Sequence, residues 1–214
     1  MAKLSVTSFD ELNQMVGYKR SMPIDKYFDE MRISRQQKQL RKQLAERLQG
    51  EFDYIMAYLF YLQMNDAPVG KMDIVDEIMG RYQSAVGNLI PMDLYLTQRI
   101  AQTSLEVVDA TYRHTDDPYF FSRDRSRLIS ENESNTLYSY DEFNEESLTA
   151  RAKEWLTIMD GKERDSHAEV NGVIIPIDEP FELQGGYADY PRDMSYGISD
   201  DEVINCRCSL RFIK

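Results

Sequence analysis

The chain has 214 residues and a formal net charge of −12. That length is enough to bury a core in one domain or two small ones, and the acidic balance excludes a protein drawn as a whole to nucleic acid phosphates. No stretch approaches the roughly eighteen consecutive apolar residues of a membrane span, the start lacks the apolar block of a signal peptide, and the only two cysteines, Cys206 and Cys208, are too close together for a disulfide scaffold.

Charge is unevenly placed: residues 1–50 carry +4 and the remainder −16. Residues 8–16 and 23–32 read as short helices around the breaker Met22-Pro23, with Asp10 and Asp25 as early-turn acids. Leu40, Leu44, Leu48, Phe52, Ile55, Leu59 and Leu62 then recur at spacings of three and four. This predicts one amphipathic helix over about residues 34–64, stopped at Asn65-Asp66-Ala67-Pro68. Its start is basic, with Arg32, Arg35, Lys38, Arg41, Lys42 and Arg47. That pattern reads first as a solvated face, and alternatively as a contact for DNA or an acidic partner through Arg35, Lys38, Arg41 and Lys42.

Residues 72–79 begin another helix, interrupted around Gly80 and Gly87. Pro91 opens the next, which turns Leu94, Ile100, Leu105 and Val108 to the core. The many Met and Tyr side chains here, from Met56 to Tyr95, serve ordinary packing, or secondarily adaptable protein contact. Residues 111–124 are loop-like, with a turn at Asp116-Asp117-Pro118. A junction here separates a helical region, 1–112, from a second region, 113–214.

Two helices are expected over 124–139 and 144–159. The second would be capped by Asn144 and would pack Trp155 with Leu148, Leu156 and Met159. Beyond Asp160 the pattern changes. An Asn171-Gly172 turn leads into the β-branched run 173–177, which Pro176 places at a sheet edge. Residues 180–202 read as long ordered loops, and 208–213 as a closing strand. The fold class is α+β: a mainly helical N-terminal region followed by a small α+β unit with few short strands.

Asp160, His167, Cys206 and Cys208 are a donor set suited to tetrahedral zinc. The Cys-x-Cys spacing and the distant histidine match no zinc finger, so no cofactor is expected and zinc stands as the alternative. A Cys–His nucleophile would need a thiolate at Cys206 or Cys208 held by His167 or Arg207. No oxyanion-hole signature, phosphate loop, His-Glu-x-x-His or nucleophile elbow accompanies it. The expectation is no enzyme and no catalytic residue. Asp160 and Arg164, four apart, read as an ion pair anchoring a loop-rich unit, and Asn205 as a residue that satisfies the turn before the last strand.

The ordered set Trp155, Asp160, Arg164, His167, Gly172 and Asn205-Cys206-Arg207-Cys208 resembles the phage Mu F-like minor head protein family, over about residues 125–214. Glu133 matches the family's glutamate on an upstream helix; Asn132 stands where the family usually has Thr, and Lys162 matches a basic residue two before the arginine. The resemblance implies a minor capsid, head morphogenesis protein of a tailed phage. Such a protein would sit in the virion near the portal vertex, after assembly in the host cytoplasm, and act in DNA packaging or release. Its implied partners are the portal protein, the major capsid or scaffolding protein and, locally, packaged DNA, with no membrane. Residues 1–112 would then bind the portal. Two alternatives are a zinc-dependent or Cys–His enzyme-like module packaged in the head, and a DNA-binding head protein using the basic helix 32–47.

Overall fold

The computed structural model describes residues 24–66 and 69–214; the helix expected over 8–16 lies outside them. These residues form two compact units, one of residues 44–130 and one of residues 24–43 together with 131–214. In chain order the helices are α1 (Asp25–Asp29), α2 (Arg35–Met64), α3 (Lys71–Val86), α4 (Leu94–Arg113), a 3-10 turn (Pro118–Phe121) and α5 (Arg123–Glu146). There follow β1 (Ala152–Leu156), α6 (Asp165–Glu169), β2 (Ile174–Pro176), β3 (Phe181–Leu183), β4 (Gly186–Ala188), α7 (Asp200–Val203) and β5 (Ser209–Ile213). The class is α+β, as the sequence indicates.

The first unit is helical. The stripe Leu44, Leu48, Phe52, Ile55, Leu59 and Leu62 of α2 is buried, so the heptad-like spacing reads a real core face. Helix α3 adds Ile74, Val75, Ile78, Tyr82 and Val86, and α4 adds Leu96, Ile100, Val107 and Val108. The interruption expected at Gly80 does not occur: α3 runs through it to Val86. Packing of five apolar side chains outweighs the roughly 1 kcal/mol that a mid-helix glycine costs. Nor does Pro91 open α4. Asp93 does, its carboxylate accepting the Leu96 N–H at 2.8 Å. The 111–124 segment is less irregular than expected, since α4 reaches Arg113 and Asp117 caps the 3-10 turn through the Tyr119 N–H at 2.9 Å.

Beyond residue 123 the chain departs further from expectation. One helix, α5, runs from Arg123 to Glu146, where two were expected, and Trp155 lies on a strand. No glycine or proline separates residues 139 and 144, so nothing stops α5 there. The apparent helical spacing of Leu148, Trp155, Leu156 and Met159 is accidental: Leu148 and Met159 are exposed, while Trp155 is wholly buried. Strand β1 has buried residues on both faces, and such a strand lacks the alternation that marks strands in sequence.

Strand β1 is the centre of a three-stranded antiparallel sheet of order β2-β1-β5. Trp155 pairs with Leu210, and Lys153 with both Phe212 and Ile175. Pro176 does lie on an edge strand, where its missing N–H costs no ladder bond. A separate hairpin, β3-β4, and the helical turn α7 occupy part of the 180–202 segment that reads as loop. Trp155, Phe181, Leu183, Ala188, Ile198, Val203, Cys206 and Cys208 form one apolar cluster. Among the described residues no helix is long and apolar enough to cross a membrane.

Candidate functional site

The site is the place where β1, α6, α7 and the segment before β5 converge. His167 sits on α6, with its imidazole Nδ1 3.7 Å from Cys206 Sγ and 3.4 Å from Cys208 Sγ. All three side chains are at most 3% exposed. Neither thiol is oxidised. Neither lies on β5 itself: Asn205 turns the chain with φ +59°, and the two thiols follow in the irregular segment before Ser209. The far side of the imidazole, Nε2, lies 2.9 Å from Glu202 Oε2 on α7. The Ser166 hydroxyl donates to the same oxygen at 2.8 Å. Trp155 packs edge-on against His167, with ring centroids 5.6 Å apart, and against Phe181 at 5.1 Å. The Thr157 hydroxyl donates to the His167 carbonyl at 2.7 Å and lies 3.5 Å from Cys208 Sγ.

Electrostatics divide the two thiols. The hydrogen bond from Cys208 holds the Cys206 pKa well below the usual thiol range, against burial and with the help of His167. Cys208 moves the opposite way, raised by Cys206 and by burial, while Thr157 and Trp155 partly offset the rise. Burial lowers the pKa of His167, but Cys206 and Glu202 outweigh it and the net shift is upward. One thiol ionises more readily than the other, beside an imidazole that has a carboxylate close to its far side.

Around this cluster the other motif residues act as anchors. Asp160 does not join it, and it does not pair with Arg164. Its carboxylate takes Arg207 Nη2 at 2.6 Å, which keeps its pKa low, and Arg207 Nη1 reaches Glu30 at 2.9 Å. Arg164 instead donates to the Ile204 carbonyl at 2.5 Å. The Asp160–Arg164 spacing misled because α6 starts only at Asp165, so no helix carries both. Gly172 has φ +80°, a conformation that favours glycine, and donates its N–H to the Trp155 carbonyl at 2.7 Å. Glu133 is buried on α5.

The sequence alone does not mark Arg192, Thr157, Ser166 or Glu202 as site residues, and marks Asn132 only as a departure from the family's Thr. Asn132 Oδ1 accepts from Arg192 Nη1 at 2.7 Å and from the Asn205 N–H at 2.9 Å. Arg192 also donates Nε to Thr136 at 2.6 Å while holding φ +74°, a backbone strain of about 1–3 kcal/mol that these bonds offset. The Asn135 amide and the half-buried Tyr27 hydroxyl both donate to the Cys206 carbonyl, at 3.1 and 3.0 Å. The signal available in sequence was Tyr190-Pro191-Arg192-Asp193, a charged pair inside a turn. Asp193 is buried and takes the N–H groups of Asp189 and Ser195, both at 2.9 Å.

The basic face at the start of α2 differs from a DNA-contact surface at its central residue. Arg41 is fully buried and forks onto Glu142 with bonds of 2.6 and 2.8 Å, with Nε on Asn135 at 3.0 Å. Lys42 pairs with Asp29 at 2.7 Å and Lys38 donates to the Asp29 carbonyl at 2.5 Å, while Arg35 is exposed. Charge spacing alone does not reveal that an arginine faces inward when its carboxylate lies a hundred residues away.

Fold and site together define an α+β protein whose C-terminal loops are fastened round a buried His–Cys–Cys cluster. The chain matches the model of the Phage Mu protein F like protein family over residues 95–211, more than half of its length. It belongs to that family, and so to the phage head morphogenesis proteins. The match begins in α4, upstream of residue 125, where the resemblance in sequence starts. A stretch of 74 residues is 34% identical to the NAD(+)--arginine ADP-ribosyltransferase EFV of Enterococcus faecalis, covering 35% of this chain and 14% of that protein. The chain thus spans about a seventh of that relative. No solved structure matches.

Proposed function

We propose that this protein is a minor capsid component that associates with the portal and acts in head assembly and in DNA packaging or release, by docking and not by turnover. The observation that carries the reading is the family match, combined with the inward use of the shared motif. Trp155, His167, Cys206 and Cys208 are buried and engaged with one another, which favours a scaffold that fixes loops over a site open to substrate. The exposed Met64, Met72 and Leu94 of the helical unit supply adaptable apolar contacts of the kind protein partners use. The stretch shared with the ADP-ribosyltransferase is 14% of that protein, too little to assign its activity to this chain.

Coexpression of the tagged chain with its portal protein, followed by size-exclusion chromatography, tests the proposal. Coelution with the portal ring is expected. Elution wholly apart from it sinks the portal assignment. The docking half is checked separately: incubation with NAD and arginine-containing acceptors should give no ADP-ribosylated product, and any enzyme-dependent product would overturn it.

A further inference from the structure

The His167–Cys206–Cys208 cluster has the geometry of a metal site and not only that of a packed core. A tetrahedral zinc ion with bonds of about 2.3 Å to sulfur and about 2.1 Å to nitrogen has nitrogen–sulfur edges of about 3.6 Å. The observed separations from Nδ1 to the two sulfurs are 3.7 and 3.4 Å, and the three donor atoms all lie within 4.8 Å of one another. We propose that His167 Nδ1, Cys206 Sγ and Cys208 Sγ bind one zinc ion, with an oxygen as the fourth ligand, supplied by the Thr157 hydroxyl or by a water that it holds.

Three further observations point the same way. Glu202 Oε2 stands 2.9 Å from Nε2, a close charge contact without an aligned hydrogen bond, on the side of the ring away from the sulfurs that face Nδ1. Histidines that bind metals usually have a carboxylate or other acceptor at their other nitrogen. Ser166 in turn holds Glu202. The Trp155 indole N–H is buried in the same cluster as Cys206 and Cys208 and has no hydrogen-bond partner; a metal-bound thiolate is an acceptor that suits such a donor. Finally, Asn205 at φ +59° bends the chain just before Cys206, which lets a Cys-x-Cys pair present both sulfurs to one point. Alternate residues of a straight strand do so less easily.

Binding exchanges the thiol protons for the metal, and those protons leave to solvent. The burial of all three ligands assigns the ion a structural task. It would pin the segment before β5 to β1 and α6, in a loop-rich unit that has no disulfide among its described residues.

The full-length chain, purified without chelator, should contain one equivalent of zinc by elemental analysis. A chelator should remove it and lower the melting temperature. Replacement by cobalt(II) should give thiolate-to-metal charge-transfer absorption and the ligand-field bands of a tetrahedral ion. Cys208→Ser should weaken the charge-transfer band, and Thr157→Val should alter the ligand-field bands while leaving the charge transfer in place. The cobalt spectra of the unaltered chain do not depend on whether any variant folds. Metal-free protein with a melt indifferent to chelator and no cobalt–thiolate band would overturn the proposal and leave a hydrogen-bonded thiol–imidazole cluster. Metal with an octahedral, sulfur-free cobalt spectrum would also overturn it, because the ion would then lie elsewhere.

Discussion

Arg41 and Glu142 allow a sharp test, because the two ends of their ion pair sit in different surroundings. The guanidinium side chain is 1% exposed and the carboxylate 21%. Removing the carboxylate leaves a buried cation with only the neutral Asn135 amide and the Tyr138 ring beside it. Removing the arginine leaves a carboxylate that water already reaches. Breaking a buried pair from one side costs about 3–5 kcal/mol when the survivor is fully desolvated. Glu142→Ala should therefore fall in that range. Arg41→Met keeps most of the buried volume and frees only a part-solvated charge, so it should cost about 1–2 kcal/mol, close to the lost hydrogen bonds alone. At roughly 2–4 °C per kcal/mol for a chain of this size, the two variants should differ by several degrees in melting temperature. Denaturant titration followed by circular dichroism measures both. If Arg41→Met proves as costly as Glu142→Ala or more so, the argument from unequal burial is wrong. The same variant bears on DNA contact: Arg41→Met should leave the affinity for duplex DNA unchanged, since the side chain does not face solvent.

Asn132→Ala should cost about 2–4 kcal/mol, as it strands an arginine and a backbone N–H; Asn132→Asp, which can accept both bonds, should recover most of the loss in the same denaturant assay. Gly50 and Gly80 lie within helices with open space where a Cβ would be added, so each change to Ala should raise stability by about 0.5–1 kcal/mol, and a loss at either would show a contact that the geometry lacks. Burial raises the pKa of Asp53 above its ordinary 3.8, although Arg123 and Ser126 pull it down. The folded state then binds the proton more tightly than the unfolded state, and stability from this group is full below about 3.8 and lost as pH rises through the raised value. Stability curves of Asp53→Asn and the parent should accordingly diverge in favour of the variant as pH rises from acid to neutral, and parallel curves would reject the shift.

Much of the helical unit could be read directly from residue order. The spacing of Leu44 to Leu62 determined α2, because a regular stripe on a surface helix is a local property of the chain. The Asn-Gly turn and Pro176 likewise announced an edge strand, since their constraints on backbone angles and donors are local. The ordered motif from Trp155 to Cys208 named the family. What residue order could not decide was which long-range partner each polar group takes. Trp155 and its neighbours carried a spacing compatible with a helix, and only sheet pairing on both sides of β1 made them a strand. Arg41 looked solvated until a carboxylate from α5 was folded onto it. His167, Cys206 and Cys208 were visible as a donor set, but Glu202 and Thr157 joined them, and Asp160 left them for Arg207, through the tertiary fold alone. Hydrogen bonds and ion pairs choose among acceptors by distance in space, and the chain fixes that distance only once the apolar cluster round Trp155 has formed.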